Sequence, residues 1–318
     1  PFVSTETQDL TTAIFQTAAI KLVDIDNDGD LDTLVGDRNG LNRIHFNDSA
    51  TDDIFLGIPS SDLSTNIWTS SAIATGDIDN DGDLDLLVAN GVTVAVNRPN
   101  VAFLNNGTPD PFNGSGAANI TADAVVSTSI AVGDIDGDGD LDVVIGNTAA
   151  AGLANRRYLG NGNGTFGNGA NINADADVTQ SVALGDLDGD GDLDLVAGNA
   201  GGDLDRIYLN GGGGAPWATT GNGAMVSADV AETRSIALGD IDNDGNLDLV
   251  VGNAGQVNRR YLGNGAGAFA GGVDIDAATD ATSQIRLADV NCDGDLDLVV
   301  GNAGNADKLY LGNGDGTF

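Results

Sequence analysis

The chain has 318 residues, 12 basic and 48 acidic, for a formal net charge of −36. That balance excludes nucleic acid, whose phosphates need Lys and Arg opposite them, and argues against docking on an anionic membrane; no apolar run reaches the roughly 18 residues that a spanning helix needs. One Cys excludes an internal disulfide, and an acid inventory of 46 Asp with only Glu6 and Glu232, beside 47 Gly, points to turns and strands rather than helices.

One string recurs along the chain. It first stands as Asp24-Ile-Asp-Asn-Asp-Gly-Asp-Leu-Asp32, with Phe2 22 residues before it and Arg43-Ile-His-Phe46 after it. The second copy, 77–85, follows Phe55 and leads to Val101-Ala-Phe-Leu104 after the longest insert, 89–100. The third, 134–142, follows Phe112 and leads through 147–155 to Arg157-Tyr-Leu159 and then Leu-Gly-Asn-Gly-Asn-Gly-Thr-Phe166. The fourth, 186–194, leads to Leu195-Val-Ala-Gly-Asn199 and Arg206-Ile-Tyr-Leu209. The fifth, 240–248, follows Trp217 and leads to Arg260-Tyr-Leu262; the sixth, 289–297, follows Phe269 and leads to Lys308-Leu-Tyr-Leu311 and a closing Leu-Gly-Asn-Gly-Asp-Gly-Thr-Phe318. The copies start 49 to 57 residues apart, so six repeats account for the whole length.

Apolar residues alternate with small or polar ones inside each repeat, and Asn-Gly clusters supply positive-φ turn positions. Four short strands per repeat are predicted. In the fourth repeat they are Ser181–Gly185, Leu193–Gly198, Arg206–Leu209 and an outer strand starting near Phe166 or its equivalent, Trp217. The fold class is therefore all-β: a β-propeller of six four-stranded blades, one domain over 1–318. The stretch 2–10 is expected to supply the outer strand of the last blade, with a seventh blade outside the segment as the alternative. No secretory leader pattern stands at Pro1, as expected of a mature or excised segment.

The recurrent string has the chemistry of a hard-cation loop. Calcium takes 6 to 8 oxygens at about 2.3–2.6 Å. Carboxylates at positions 1, 3 and 5 can share one centre, position 7 can give its backbone carbonyl, and position 9 can close the shell. Gly at position 6 permits the sharp turn. The candidate ligands are Asp24, Asp26, Asp28, Asp30 and Asp32 in the first loop, and Asp77, Asp79, Asp81, Asp83 and Asp85 in the second. The third and fourth offer Asp134, Asp136, Asp138, Asp140 and Asp142, then Asp186, Asp188, Asp190, Asp192 and Asp194. The fifth offers Asp240, Asp242, Asp244, Asn246 and Asp248; the sixth offers Asp289, Asn291, Asp293, Asp295 and Asp297. Position 12 is apolar (Val35 in the first loop), where an EF-hand places its Glu, so these are strand-flanked calcium loops. The loops hold 28 Asp; the other 20 acids face 12 bases, so the acidity is local to the loops. About six Ca²⁺, one per blade, are expected, and Mg²⁺ fits poorly because it demands near-ideal octahedral geometry. The alternative is a set of acidic turns that hold no ion.

The motif, the blade period and the Leu-Gly-Asn-Gly-x-Gly-Thr-Phe ending resemble FG-GAP/VCBS repeats. Those repeats build integrin α-subunit propellers and many bacterial surface proteins, and a fungal lectin propeller of the Psathyrella type is similar. The resemblance implies a calcium-binding propeller, secreted, cell-surface or periplasmic, whose partner is a glycan or a surface protein. It also implies calcium loops on one face and ligands on the opposite face or between blades. This chain departs from integrins in having all six loops intact.

Three functions compete. The first is an adhesion or carbohydrate-binding module; the second is a structural or self-associating subunit of a larger surface protein or filament. The third, a calcium-dependent polysaccharide lyase or hydrolase, is disfavoured by one His, two Glu and no acid pair outside the repeat register. His45 occupies the slot held by Tyr158, Tyr208, Tyr261 and Tyr310, so it reads as a strand side chain. Arg43, Arg156, Arg206, Arg259 and Lys308 read as partners for nearby Asp, with a ring that binds an acidic sugar as the alternative. Trp217 is in register with the blade Phe residues and reads as core. Trp68 lies off register and offers a stacking platform for a sugar ring, and Arg98 marks the longest insert; these two are the ligand-binding candidates.

Overall fold

The computed structural model describes residues 16–47, 60–63, 69–91, 99–120, 126–148, 154–172, 177–214, 216–217 and 223–318. They build six antiparallel sheets, and the fold is all-β, a six-bladed β-propeller. The first sheet runs β1 (Thr17–Val23), β2 (Asp32–Asp37), β3 (Arg43–His45) and β4 (Ser60–Asp62). The second runs β5 (Ser70–Gly76), β6 (Asp85–Asn90), β7 (Val101–Phe103) and β8 (Ala118–Asn119). The third contains β9 (Ser127–Gly133), β10 (Asp142–Asn147), β11 (Arg156–Tyr158) and β12 (Ala170–Asn171). The fourth contains β13 (Val178–Gly185), β14 (Asp194–Ala200), β15 (Arg206–Tyr208) and β16 (Ala224–Met225). The fifth contains β17 (Thr233–Gly239), β18 (Asp248–Asn253), β19 (Arg259–Tyr261) and β20 (Val273–Asp274). The sixth has three strands among the described residues: β21 (Thr282–Ala288), β22 (Asp297–Asn302) and β23 (Lys308–Tyr310). The closing strand expected from 2–10 lies outside the described residues.

The chain divides into two compact units. The first holds 1–132, 139–143 and 158–169; the second holds 133–138, 144–157 and 170–318. Each has its own core. In the first, Leu34, Leu86, Val88, Val101 and Phe103 are buried together, with Phe112 edge-on to Phe103 at 6.3 Å between ring centroids. In the second, Val196, Ile207, Ile236, Leu249 and Val251 form one cluster, and Val250, Ile285, Leu298 and Val300 another. In the second, fourth and fifth blades the second strand is buried along its whole length, which is why its sequence carries a short apolar run rather than an alternating pattern.

Blade-to-blade packing explains the Gly that ends that run. A Cβ on Gly198 would meet Ile236 Cγ2 of the following blade at 2.7 Å, and one on Gly252 would meet Ile285 Cγ2 at 2.8 Å. A larger residue there would separate the sheets.

The outer strands depart from the sequence expectation. Phe166 does not start one; it forms a bridge with Gly160 that closes a turn, and β12 begins four residues later. Likewise β16 begins seven residues after Trp217. The aromatic anchors the turn instead: Trp217 is buried, and its indole N–H donates to Tyr208 O at 3.0 Å.

Candidate metal centre

Each acidic loop connects the first two strands of its blade. The loop is folded by its own carboxylates before any ion is considered. In the first loop Asp24 accepts from the N–H of Asp28 (3.1 Å) and of Gly29 (3.0 Å), and Asp28 Oδ1 accepts from the N–H of Asp30 (2.9 Å). The second loop repeats the pattern with Asp77, Asp81, Gly82 and Asp83 at 3.0–3.1 Å. The fifth does so with Asp240, Asp244, Gly245 and Asn246. Position 4 turns the chain through the left-handed region at φ 60° in Asn27, Asn80 and Asn243, a conformation Asn tolerates better than most residues.

Position 9 has a role that sequence reasoning missed. Asp85 is fully buried; its Oδ2 accepts from Ile78 N–H (2.9 Å) and its Oδ1 from Asn105 N–H (2.7 Å). Asp32, Asp194, Asp248 and Asp297 accept the equivalent pair at 2.6–3.0 Å. This carboxylate pins the loop's start to the end of the third strand. One lone pair remains on each oxygen for an ion. The signal for it was present: position 9 is Asp in all six copies, including the two where another position is Asn.

Positions 1, 3 and 9 converge. Ligand oxygens of Asp24, Asp26 and Asp32 lie within 4.8 Å of one another, as do those of Asp77, Asp79 and Asp85, of Asp186, Asp188 and Asp194, and of Asp240, Asp242 and Asp248. Two bonds of about 2.4 Å to one calcium span that distance. Position 5 stands outside the tight group, with one oxygen engaged by the N–H of position 7. The division between the two units runs through the third loop, with Asp134 and Asp136 on one side and Asp142 on the other.

The donors fit a hard cation. Asp26 Oδ1 and Asp79 Oδ1 are buried and accept no hydrogen bond. Burial first, then the like charges of Asp32 and Asp28, push the Asp26 carboxyl up to about 6. Burial likewise pushes Asp85 and Asp194 up to about 6, against their backbone hydrogen bonds. A buried carboxylate oxygen without a donor is costly, and a divalent ion among three carboxylates removes that cost. The sixth loop differs: Asn291 donates to Asp293 Oδ2 (2.8 Å) and accepts from Asp293 N–H (2.8 Å), so its third position is satisfied within the loop.

The position-7 side chains point away from the converging oxygens. Asp83 accepts from Asn27 of the preceding loop, and Asp295 from Asn243. Position 7 therefore has only its backbone carbonyl to offer the loop. Four of the five recurrent bases are seen paired with Asp: Arg43 with Asp62, Arg206 with Asp177, Arg259 with Asp229 and Asp274, and Lys308 with Asp276 and Asp280. His45 sits in β3 opposite Thr33, the register at which Tyr208 faces Leu195 and Tyr261 faces Leu249. Cys292 is exposed at position 4 of the sixth loop. Trp68 and Arg98 lie outside the described residues.

No described helix is long and apolar enough to cross a membrane. Comparison with curated proteins gives no match. Among solved structures the chain is similar to a lectin of Agrocybe aegerita that recognises non-reducing terminal N-acetylglucosamine: 19% identity, TM-score 0.62, covering 95% of this chain and 81% of that one. It is also similar to BBS1N in complex with ARL6DN (14%, TM-score 0.56, 94% and 79%). Raptor of Chaetomium thermophilum matches at 13% identity and TM-score 0.55, over 95% of this chain and 24% of that one. These likenesses show the fold. The FG-GAP-like repeat profile matches residues 24–88, 149–197, 186–251 and 240–300, and the FG-GAP repeat profile matches 127–166. With its six acidic loops each set between the first two strands of a blade, the chain belongs to the FG-GAP repeat family.

Proposed function

We propose that this chain is a calcium-stabilised binding module that acts outside the cell, at the cell surface or in the periplasm, on a glycan or a surface protein. The calcium part rests on one observation: the buried, unpartnered oxygens Asp26 Oδ1 and Asp79 Oδ1, each set among converging carboxylates. In the first loop Asp24, Asp26 and Asp32, with Asp28 and the carbonyl of Asp30, would hold the ion; the equivalent residues would do so in the other loops. The ion supplies positive charge that neutralises the repelling carboxylates and fixes the loop against the strands. Extracellular calcium modules commonly bind at about 10⁻⁴–10⁻³ M, concentrations met outside the cell and not in the cytosol. The loops thereby support the external location. Catalysis is not part of this reading.

The glycan is drawn from likeness of fold to the Agrocybe aegerita lectin. The test is a glycan array, including N-acetylglucosamine-terminated chains, probed in millimolar calcium and again in EGTA. Selective binding lost in EGTA supports a lectin-like adhesin, and Trp68→Ala and Arg98→Ala then test the two candidate contacts. A blank array in calcium overturns the glycan reading and leaves protein contact or self-assembly.

A further inference from the structure

We propose that the position-4 asparagines Asn27 and Asn243 couple calcium binding between neighbouring loops, so that an ion in one loop raises the affinity of the next. The proposal rests on the calcium reading above and concerns its regulation. Asn27 stands between Asp26 and Asp28, two candidate ligands of the first loop. Its amide Nδ2 crosses to the second loop and donates to Asp83 Oδ1 at 2.7 Å. Asp83 is position 7 of that loop, the residue whose backbone carbonyl is the candidate ligand. Its N–H donates to Asp81 Oδ1 at 3.0 Å, so its backbone is already tied to a second candidate ligand. Both ends of the Asn27–Asp83 bond therefore lie within one residue of, or on, a ligand position of their own loop. Asn243 makes the same link from the fifth loop to Asp295 of the sixth, at 2.8 Å.

The link is absent between the fourth and fifth loops. The fourth loop has Gly189 at position 4, with φ 76°, and so has no side chain to send across. Position 7 of the fifth loop is then Asn246 rather than Asp, and its amide turns back on Asp244 of its own loop at 2.9 Å. Position 7 is a carboxylate in the second, third and sixth loops, where an Asn of the preceding loop donates to it, and an amide in the fifth, where none does; the fourth loop keeps Asp192 there although Gly137 stands at position 4 of the loop before it. The physical route is short. An ion that draws Asp26 and Asp28 together fixes the turn between them, hence the Asn27 amide, hence Asp83 and the carbonyl it presents. Coupling between sites is reciprocal, so the second ion favours the first equally.

Asn27→Gly is the clean perturbation, because Gly189 shows that the turn accepts Gly at this φ. The experiment is a calorimetric CaCl₂ titration of the full chain, stripped of metal, as a double-mutant cycle of Asp26→Ala and Asn27→Gly. Asp26→Ala alone is expected to remove one ion and to weaken a second by about five-fold or more, the lower range of site coupling. In the Asn27→Gly background the same substitution should remove one ion and leave the rest unchanged. Equal weakening in both backgrounds overturns the coupling while the calcium reading stands. Loss of no ion on Asp26→Ala overturns the calcium reading of the first loop and the coupling with it. Should Asp26→Ala fail to fold, Asn27→Gly and Asn243→Gly are compared with the parent. The full ion count with a shallower isotherm supports the coupling, and an unchanged isotherm overturns it. A purely structural hydrogen bond would lower the melting temperature without altering that steepness.

Discussion

Asp205 shows how one atom type decides a local network. It precedes β15 and occupies a slot that holds Asn42, Asn100, Asn155 and Asn258 in other blades, each accepting the N–H at the end of the second strand at 2.8–3.0 Å. In the fifth blade Asn258 Nδ2 donates to Thr282 Oγ1 (3.0 Å), and that hydroxyl donates onward to Asn302 Oδ1 (3.0 Å). Beside Asp205 of the fourth blade, the Thr233 hydroxyl of the fifth faces two acceptors, Asp205 Oδ2 at 3.1 Å and Asn253 Oδ1 at 3.2 Å, with one proton for both. Burial pushes the Asp205 carboxyl up to about 6, against its hydrogen bonds from Asn199 and Thr233. A folded-state value above the unfolded one means that the charged form destabilises the fold. The penalty is full above pH 6 and fades as the pH falls towards the unfolded value near 3.9. Asp205→Asn should therefore stabilise the protein by about 1–2 kcal/mol at pH 7.5 and by little at pH 4.5. Denaturant melts at the two pH values check this; a loss of stability at pH 7.5 would show that the charge is needed.

At the scale of the loop and its strands, positions 3 and 9 divide the work. Asp85 ties three elements together through two backbone N–H groups and is fully buried. An amide in its place would turn an NH₂ against one of those donors, so Asp85→Asn should cost about 2–3 kcal/mol already in EGTA, and more in calcium, where a proposed ligand is lost as well. Asp79 Oδ1 has no partner. Asp79→Ala should be neutral or mildly stabilising in EGTA and destabilising only in calcium. Thermal melts of both variants in each condition test the division, and equal losses for Asp79→Ala in both conditions would remove the metal from the explanation. The loops, the second strands and the third strands were legible because their residues recur at fixed offsets; even the displaced third strand of the second blade, β7, was placed by Val101 and Phe103. The outer strands were not, because two-residue pairings such as Ala170–Asn171 have no periodicity to read. Their position is set by a turn built on Phe166 or Trp217, and the aromatic was mistaken for the strand itself. The Asn slot before the third strand was readable as Asn42-Arg43, Asn155-Arg156 and Asn258-Arg259. Its meaning was not, since one partner is the backbone N–H at the end of the second strand and the other a hydroxyl on the next blade, Thr179 for Asn155 and Thr282 for Asn258.

For the whole molecule the governing fact is a net charge of −36 concentrated in six loops. Without an ion, raised carboxyls such as Asp26, Asp85 and Asp194, each at about 6, make the charged loops a liability that is greatest above pH 6. The metal-free protein should melt higher at pH 5 than at pH 7.5. Calcium bound as proposed would reverse the sign, because it needs the same carboxylates ionised; its stabilisation should be largest at pH 7.5 and shrink as protons compete below pH 6. The gap between melts in calcium and in EGTA therefore narrows from both sides as the pH falls. Its size at pH 7.5 can be estimated. Each ion adds about 1.4 kcal/mol per decade of calcium above its dissociation constant. Unfolding a chain of this length carries an entropy of roughly 0.7 kcal/mol/K, so each ion released raises the melting temperature by about 2 °C per decade. Six ions give roughly 12 °C per decade, and the sixth loop, whose Asn291 is satisfied without metal, should be the last to fill. Melts across a calcium series at fixed ionic strength, with Mg²⁺ as control, read the slope directly. A flat profile would end the structural role of calcium, and an equal slope in Mg²⁺ would reduce the effect to screening of an acidic surface.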